Sequence, residues 1–136
     1  MIQRTFAIIK PDAVADKNIG KIIDLIEKNG FEVLGMKKIL IPKNTAEHFY
    51  DIHKERPFFN DMIKFITSGP VVVMALEKEN AVQSWRDLIG ATNPENAAKG
   101  TIRNLYGKSI DNNAVHGSDA SETANREISI FFPELS

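Results

Sequence analysis

Two short apolar runs constrain the fold of this chain more than any other feature. Thr5-Phe6-Ala7-Ile8-Ile9 is stopped by Lys10-Pro11-Asp12, and Val71-Val72-Val73-Met74-Ala75-Leu76 follows Ser68-Gly69-Pro70. Each reads as a buried strand bounded by turn residues. Phe31 to Ile41 is apolar-rich and ends at Pro42, which suits another strand, and Ala114-Val115-His116 a short last one. Ile19, Ile22, Ile23 and Ile26 recur at helical spacing between Asn18, a candidate N-cap, and the stop signal Asn29-Gly30. Residues 45–53 and 60–66 read as short helices, and Val82, Trp85, Leu88 and Ile89 as one helix face ending at Gly90. A final helix carries Ala124, Ile128, Phe131 and Phe132 on one face, with Asp119-x-x-Glu122 as a capping box. Strands and helices in this order predict an α+β fold, a ferredoxin-like βαββαβ antiparallel sheet with helices packed on it.

Residues 91–113 break the pattern, being rich in Asn, Gly and Lys, with Thr101 to Leu105 as one helical turn. A stretch of this length inside a compact domain points to function or disorder. There is no linker, repeat or low-complexity segment, so residues 1–136 read as a single domain. With 17 Lys+Arg against 18 Asp+Glu, the chain does not look like a protein that coats polyanions, although a local basic pocket is compatible with that balance. The absence of cysteine excludes disulfides, Cys-based zinc sites and thiol catalysis. No apolar run approaches a membrane span and the N-terminus does not read as a leader, so the cytoplasm is the default compartment.

His116 stands in Asn113-Ala114-Val115-His116-Gly117-Ser118-Asp119-Ala120, at a tight turn before a helix start. Imidazole is a nucleophile and acid–base group near neutral pH, and a helix N-terminus favours anions. The same octapeptide is equally compatible with an ordinary turn histidine. Lys10 ends a buried strand, where a ligand-contacting charge and a solvated turn lysine are both reasonable. Tyr50 and His53 share a helix face. Arg56-Pro57-Phe58-Phe59 presents a phosphate donor beside a flat ring. Arg86, Thr92 and Arg103 flank the irregular region with forked and hydroxyl donors suited to phosphate. Asn113 suits a sugar hydroxyl or its own turn, and Glu127 a role in orienting an imidazole or a plain helix surface. Neither the G-x-x-x-x-G-K-[ST] nor the G-x-G-x-x-G nucleotide fingerprint occurs.

Taken together, the motif from Asn113 to Asp119, Arg56-Pro-Phe-Phe59, Ser68-Gly-Pro-Val71, Gly100-Thr-Ile-Arg103, Lys10-Pro-Asp12 and Thr92-Asn-Pro94 resemble the nucleoside diphosphate kinases, in the same order and along essentially the whole chain. The resemblance is to the short bacterial forms, since the chain stops soon after Phe132-Pro133. It implies transfer of the γ-phosphate of a nucleoside triphosphate, mainly ATP, to a nucleoside diphosphate. The cycle would be ping-pong, through a phosphohistidine on His116 Nδ1, with broad base specificity, and it would maintain nucleoside triphosphate pools. Glu127 and Ser118 would orient the ring. Lys10 and Asn113 would hold the ribose 3′-hydroxyl side with Tyr50 nearby. Arg86, Thr92 and Arg103 would bind phosphates with His53 and Arg56 close by, and Phe58 would stack on the base with Ile110 on its other face. Mg²⁺ would ride on the nucleotide phosphates rather than in a protein cage. Family members are tetramers or hexamers, so a homo-oligomer is expected, with no membrane or specific nucleic-acid partner. The chain departs from the usual family pattern at Ala13, Lys17-Asn18, Lys99 and Asn104-Leu105-Tyr106, positions that bear on loop rigidity and assembly. Two other readings also keep His116. A signalling phosphohistidine carrier would need no base platform, and Phe58 with Arg86 and Arg103 argues against it. A silent oligomeric scaffold would not need Lys10, Asn113 and Glu127 all to be present.

Overall fold

The two apolar runs become the two central strands. In the computed structural model, which describes residues 1–135, β1 (Ile2–Ile9) pairs antiparallel with β3 (Val71–Glu79), from Ile2 opposite Glu79 to Ile9 opposite Val72. β2 (Glu32–Ile39) flanks β3 and β4 (Val115–Gly117) flanks β1, giving the antiparallel order β2-β3-β1-β4. This is the ferredoxin-like arrangement.

Both faces of the sheet are covered, which explains why the central strands are continuously apolar instead of alternating. Ala7, Ile9, Val72, Met74 and Leu76 face α2 (Ile19–Lys28) and α5 (Ala81–Ile89), whose Ile22, Ile26, Trp85 and Ile89 complete one core. Phe6, Ile8, Val71, Val73 and Ala75 face the opposite way. There they meet α3 (Lys43–Phe49), α4 (Phe59–Ile66) and α7 (Ser121–Phe131), through Ala46, Phe49, Ile63, Ile66, Ile128 and Phe131. A short α1 (Pro11–Ala15) begins directly after β1, with Pro11 at its start, where a missing N–H costs nothing.

Some local expectations shift. The helix expected at 45–53 is α3 followed by a separate 3₁₀ turn, Asp51–His53, broken at the buried Tyr50. The irregular 91–113 segment holds a 3₁₀ turn (Pro94–Asn96) and α6 (Ile102–Tyr106), whose N-cap Thr101 accepts the Asn104 N–H. Asn18 occupies the N-cap of α2, but its side chain makes no capping bond. The capping box at Asp119 does not form. The extended residue at the N-cap of α7 is Ala120, so Asp119 lies one position too early and Glu122 falls in the second helical position instead of the third.

Three residues of β4 position the site. Register sets His116 opposite Ile8 and Gly117 opposite Ala7, so the histidine shares the face of Phe6 and Phe49. Gly117 turns to the other face, where a Cβ would lie 2.8 Å from both Trp85 and Ile89. Only glycine lets α5 approach β4 this closely.

Candidate active site

The His116 ring packs edge-on against Phe49 (5.3 Å between centroids) and Phe6 (6.3 Å), and its side chain keeps 20% exposure. Nε2 lies 3.2 Å from Oε1 of Glu127, and the Ser118 hydroxyl donates to that same oxygen at 2.6 Å. A carboxylate oxygen only accepts, so Nε2 carries the proton and Nδ1 keeps its lone pair. Glu127 and Ser118 are themselves buried, and the Trp85 indole N–H donates to the His116 carbonyl at 3.2 Å. The histidine is thus oriented from its ring and from its backbone.

Lys10 and Asn113 meet across the β1–β4 junction, Lys10 Nζ donating to Asn113 Oδ1 at 2.9 Å. Burial, with the Arg103 guanidinium as the second cause, lowers the Lys10 pKa to about 8. Arg103 donates to the carbonyls of Gly90 (3.3 Å), Asn113 (3.3 Å) and Val115 (2.9 Å), tying the irregular segment to β4. Burial, followed by repulsion from Arg86, lowers its pKa to about 10. Arg86, Thr92 and Arg103 converge with Gly90 and Gly117 around a cavity of about 230 Å³. Two arginines and a threonine hydroxyl at one small concavity are donor chemistry suited to an anion.

A second group of residues, largely aromatic, lies around His116. Tyr50 packs edge-on against Phe49 at 4.8 Å, and burial followed by the Glu127 charge pushes its phenol pKa upward. Tyr50, His53, His116 and Glu127 line a second cavity, of about 270 Å³. From His53 a chain of tilted rings leads to Phe58 at 6.2 Å, over which the Arg56 guanidinium lies at 5.7 Å. Phe58 is 43% exposed and Ile110 57%. The structure therefore brings His116, Glu127 and Ser118 together, Lys10 with Asn113, Arg86 with Thr92 and Arg103, and Tyr50 with His53. Phe58 and Ile110 are both exposed side chains.

Sequence reasoning left two contributors without a role. Trp85 looked like core alone, since its spacing fits a helix face and nothing marks its N–H. Asp12 stood in the motif Lys10-Pro-Asp12 as a turn residue, and nothing in the sequence names the partner of its carboxylate. Asp12 accepts the Ala114 N–H through Oδ2 at 3.1 Å.

The family model described as nucleoside diphosphate kinase matches residues 3–136. A nucleoside diphosphate kinase of Geotalea uraniireducens is 60% identical over 134 residues, covering 98% of each chain. Among solved structures, the Aquifex aeolicus nucleoside diphosphate kinase superposes with a TM-score of 0.97 at 39% identity, covering 99% of this chain and 98% of that one. The Halobacterium salinarum enzyme, solved in complex with CDP, gives 0.92 at 40% identity, covering 97% and 88%. A family model matched over residues 3–136 and relatives this similar along nearly the whole chain, with an oriented histidine on the shared fold, have one explanation: the chain belongs to the nucleoside diphosphate kinase family.

Proposed function

We propose that the protein transfers the γ-phosphate of nucleoside triphosphates, mainly ATP, to nucleoside diphosphates by a ping-pong cycle through His116, so maintaining nucleoside triphosphate pools. The observation that carries this is the Nε2–Glu127 hydrogen bond, which leaves Nδ1 as the ring atom able to attack phosphorus. In the first half-reaction the Nδ1 lone pair forms the N–P bond as the bond from phosphorus to the β–γ bridging oxygen breaks, and the nucleoside diphosphate leaves. In the second, a terminal oxygen of another diphosphate attacks the same phosphorus and His116 Nδ1 is regained.

Little covalent work falls to the protein, so rate depends on alignment and on neutralising charge. Arg86, Arg103 and Thr92 hold the phosphates, with His53 and Arg56 nearby. Lys10 and Asn113 bind the ribose 3′-hydroxyl side, and Tyr50 closes the site beside the ring. Glu127 and Ser118 keep the imidazole aimed and stabilise its protonated nitrogen. Phe58 stacks on the base with Ile110 against the opposite face, which tolerates any base because every base has a π-face. CDP bound to the Halobacterium salinarum relative supports a nucleoside diphosphate as ligand.

Mg²⁺ carried by the nucleotide would supply further charge neutralisation at the phosphates that Arg86, Arg103 and Thr92 would hold. The donors suit that division. The cations Lys10, Arg86 and Arg103 match phosphate oxygens, while Glu127 already accepts from Ser118 and His116.

We also infer that residues 1–136 form a single cytoplasmic domain that assembles as a homo-oligomer, a tetramer or hexamer. Support for assembly comes from the edge strand β2 and its flank, which expose Met36 (51%) and Leu40 (62%). Light scattering of the purified protein decides between the two sizes.

The kinase reading is tested by incubating the protein with γ-labelled ATP and Mg²⁺, then adding GDP. An acid-labile, alkali-stable protein phosphate that chases into GTP is expected. Label that stays on the protein would mean a phosphohistidine carrier, and no labelling a silent scaffold.

A further inference from the structure

The two residues before the histidine motif's Val115 adopt a costly conformation. Val115 N–H donates to the Asn113 carbonyl at 2.9 Å across Ala114, whose φ is +74°. This is a γ-turn with its central residue in the left-handed region, the rarer and more strained hand, and Ala114 has a Cβ that glycine would lack. Such a turn persists only where its surroundings hold it.

The holding groups are all visible. The Lys10 N–H donates to the Ala114 carbonyl at 2.8 Å, and Arg103 donates to the carbonyls of Asn113 and Val115. The Ala114 N–H itself goes to Asp12 Oδ2 at 3.1 Å. The Lys10 N–H and the Arg103 guanidinium hold the turn by its carbonyls, whereas among the described residues Asp12 alone holds the Ala114 N–H. The Asp12 carboxylate has this one hydrogen bond, since its Oδ1 is buried without a partner among the described residues. The side chains on either side of the turn are Asn113, which meets Lys10, and His116, two residues on, which meets Glu127.

We propose that Asp12 is a positioning residue for phosphoryl transfer. By fixing the Ala114 N–H it holds the strained turn, and through the turn it aligns both Asn113 with Lys10 and His116 with Glu127. The inference rests on the kinase reading above. Its charge also favours the cationic form of Lys10, but its hold on the turn is geometric, so at a pH where Lys10 is cationic an amide would serve in its place. The nitrogen of asparagine would occupy the unpartnered Oδ1 position and its oxygen would still accept from Ala114.

The test uses full-length wild-type, Asp12→Ala, Asp12→Asn and Asp12→Ala/Ala114→Gly proteins, checked for folding by circular dichroism. Each is mixed with excess ATP and Mg²⁺ at pH 6.5, where Lys10 stays cationic, and the single-turnover rate of phosphohistidine formation is measured beside ATP affinity. Asp12→Ala is expected to slow phosphorylation by about ten- to a hundredfold while affinity changes less than about threefold. Asp12→Asn should stay within about threefold of wild type. Ala114→Gly should recover most of the lost rate, because glycine adopts positive φ without strain. Asp12→Ala reacting at the wild-type rate, or Asp12→Asn as slow as Asp12→Ala, overturns the proposal. Should Asp12→Ala not fold, the double variant decides: a folded protein within about fivefold of the wild-type rate supports it, and an unfolded or slow one overturns it. A wild type that takes no phosphate refutes the kinase reading itself, whereas a phosphorylated wild type beside an equally fast Asp12→Ala refutes only the positioning role.

Discussion

At the histidine end of the cleft, Glu127 is 7% exposed and bonded to two partners, and the His116 backbone is pinned by Trp85. Phe58 and Ile110, by contrast, are 43% and 57% exposed. The first region is built like a protein core, the second like a surface. Under the proposed function, the difference teaches how a demanding reaction and an undemanding recognition would be built differently. In-line transfer needs groups fixed before the substrate arrives. Stacking on a base needs only a flat apolar face, and an exposed one accommodates purines and pyrimidines alike.

If that division is right, substitutions in the two regions fail differently. His116→Ala should leave no phosphoenzyme and only background transfer, while nucleotide binding measured by calorimetry persists. Glu127→Ala should lower the phosphorylation rate by about a hundredfold with little change in affinity, since it misaligns the ring. A larger loss of affinity than of rate would place Glu127 in binding. Phe58→Ala should do the reverse, weakening ADP, GDP and CDP alike by about 1–3 kcal/mol. A loss confined to one base would mean that base edges are read, and would erase the contrast between the regions.

The smallest effect concerns Lys10. Its pKa is lowered from 10.5 to about 8, chiefly by burial, so the amine is cationic below that pH and neutral above it. The charge proposed to meet the substrate is therefore lost as pH rises, and kcat/KM should fall by up to about tenfold per unit above pH 8. In Lys10→Gln that limb should vanish, leaving a lower and flatter profile. A wild-type profile unchanged between pH 7 and 9.5 would show that the amine keeps its charge there or that the charge plays no part.

The sheet was legible because Thr5–Ile9 and Val71–Leu76 are continuous apolar strands, and periodicity found the helices that cover both faces. Capping was less legible. Asp119 has the right chemistry at the wrong position, and only the extended backbone of Ala120 reveals where the helix begins. At the site, residue types marked His116, the arginines and Lys10 as able to handle phosphate, but each had an ordinary surface reading. What joined them into one arrangement was the order of motifs across the chain, because the contacts span residues such as Lys10 and Asn113 that lie far apart in sequence. Asp12 and Trp85 stayed hidden for a related reason. Their work is done on backbone atoms of distant residues, and no sequence pattern records the partner of a backbone N–H or carbonyl.

The most direct measurement is ³¹P NMR of the protein after reaction with ATP and Mg²⁺, kept alkaline and unfolded gently enough to preserve the phosphoramidate. Nε2 is held by Glu127, so the phosphorus should sit on Nδ1 of His116, and the resonance should disappear on adding GDP to the native phosphoprotein. Phosphorus on Nε2, or on any residue other than His116, would contradict the mechanism.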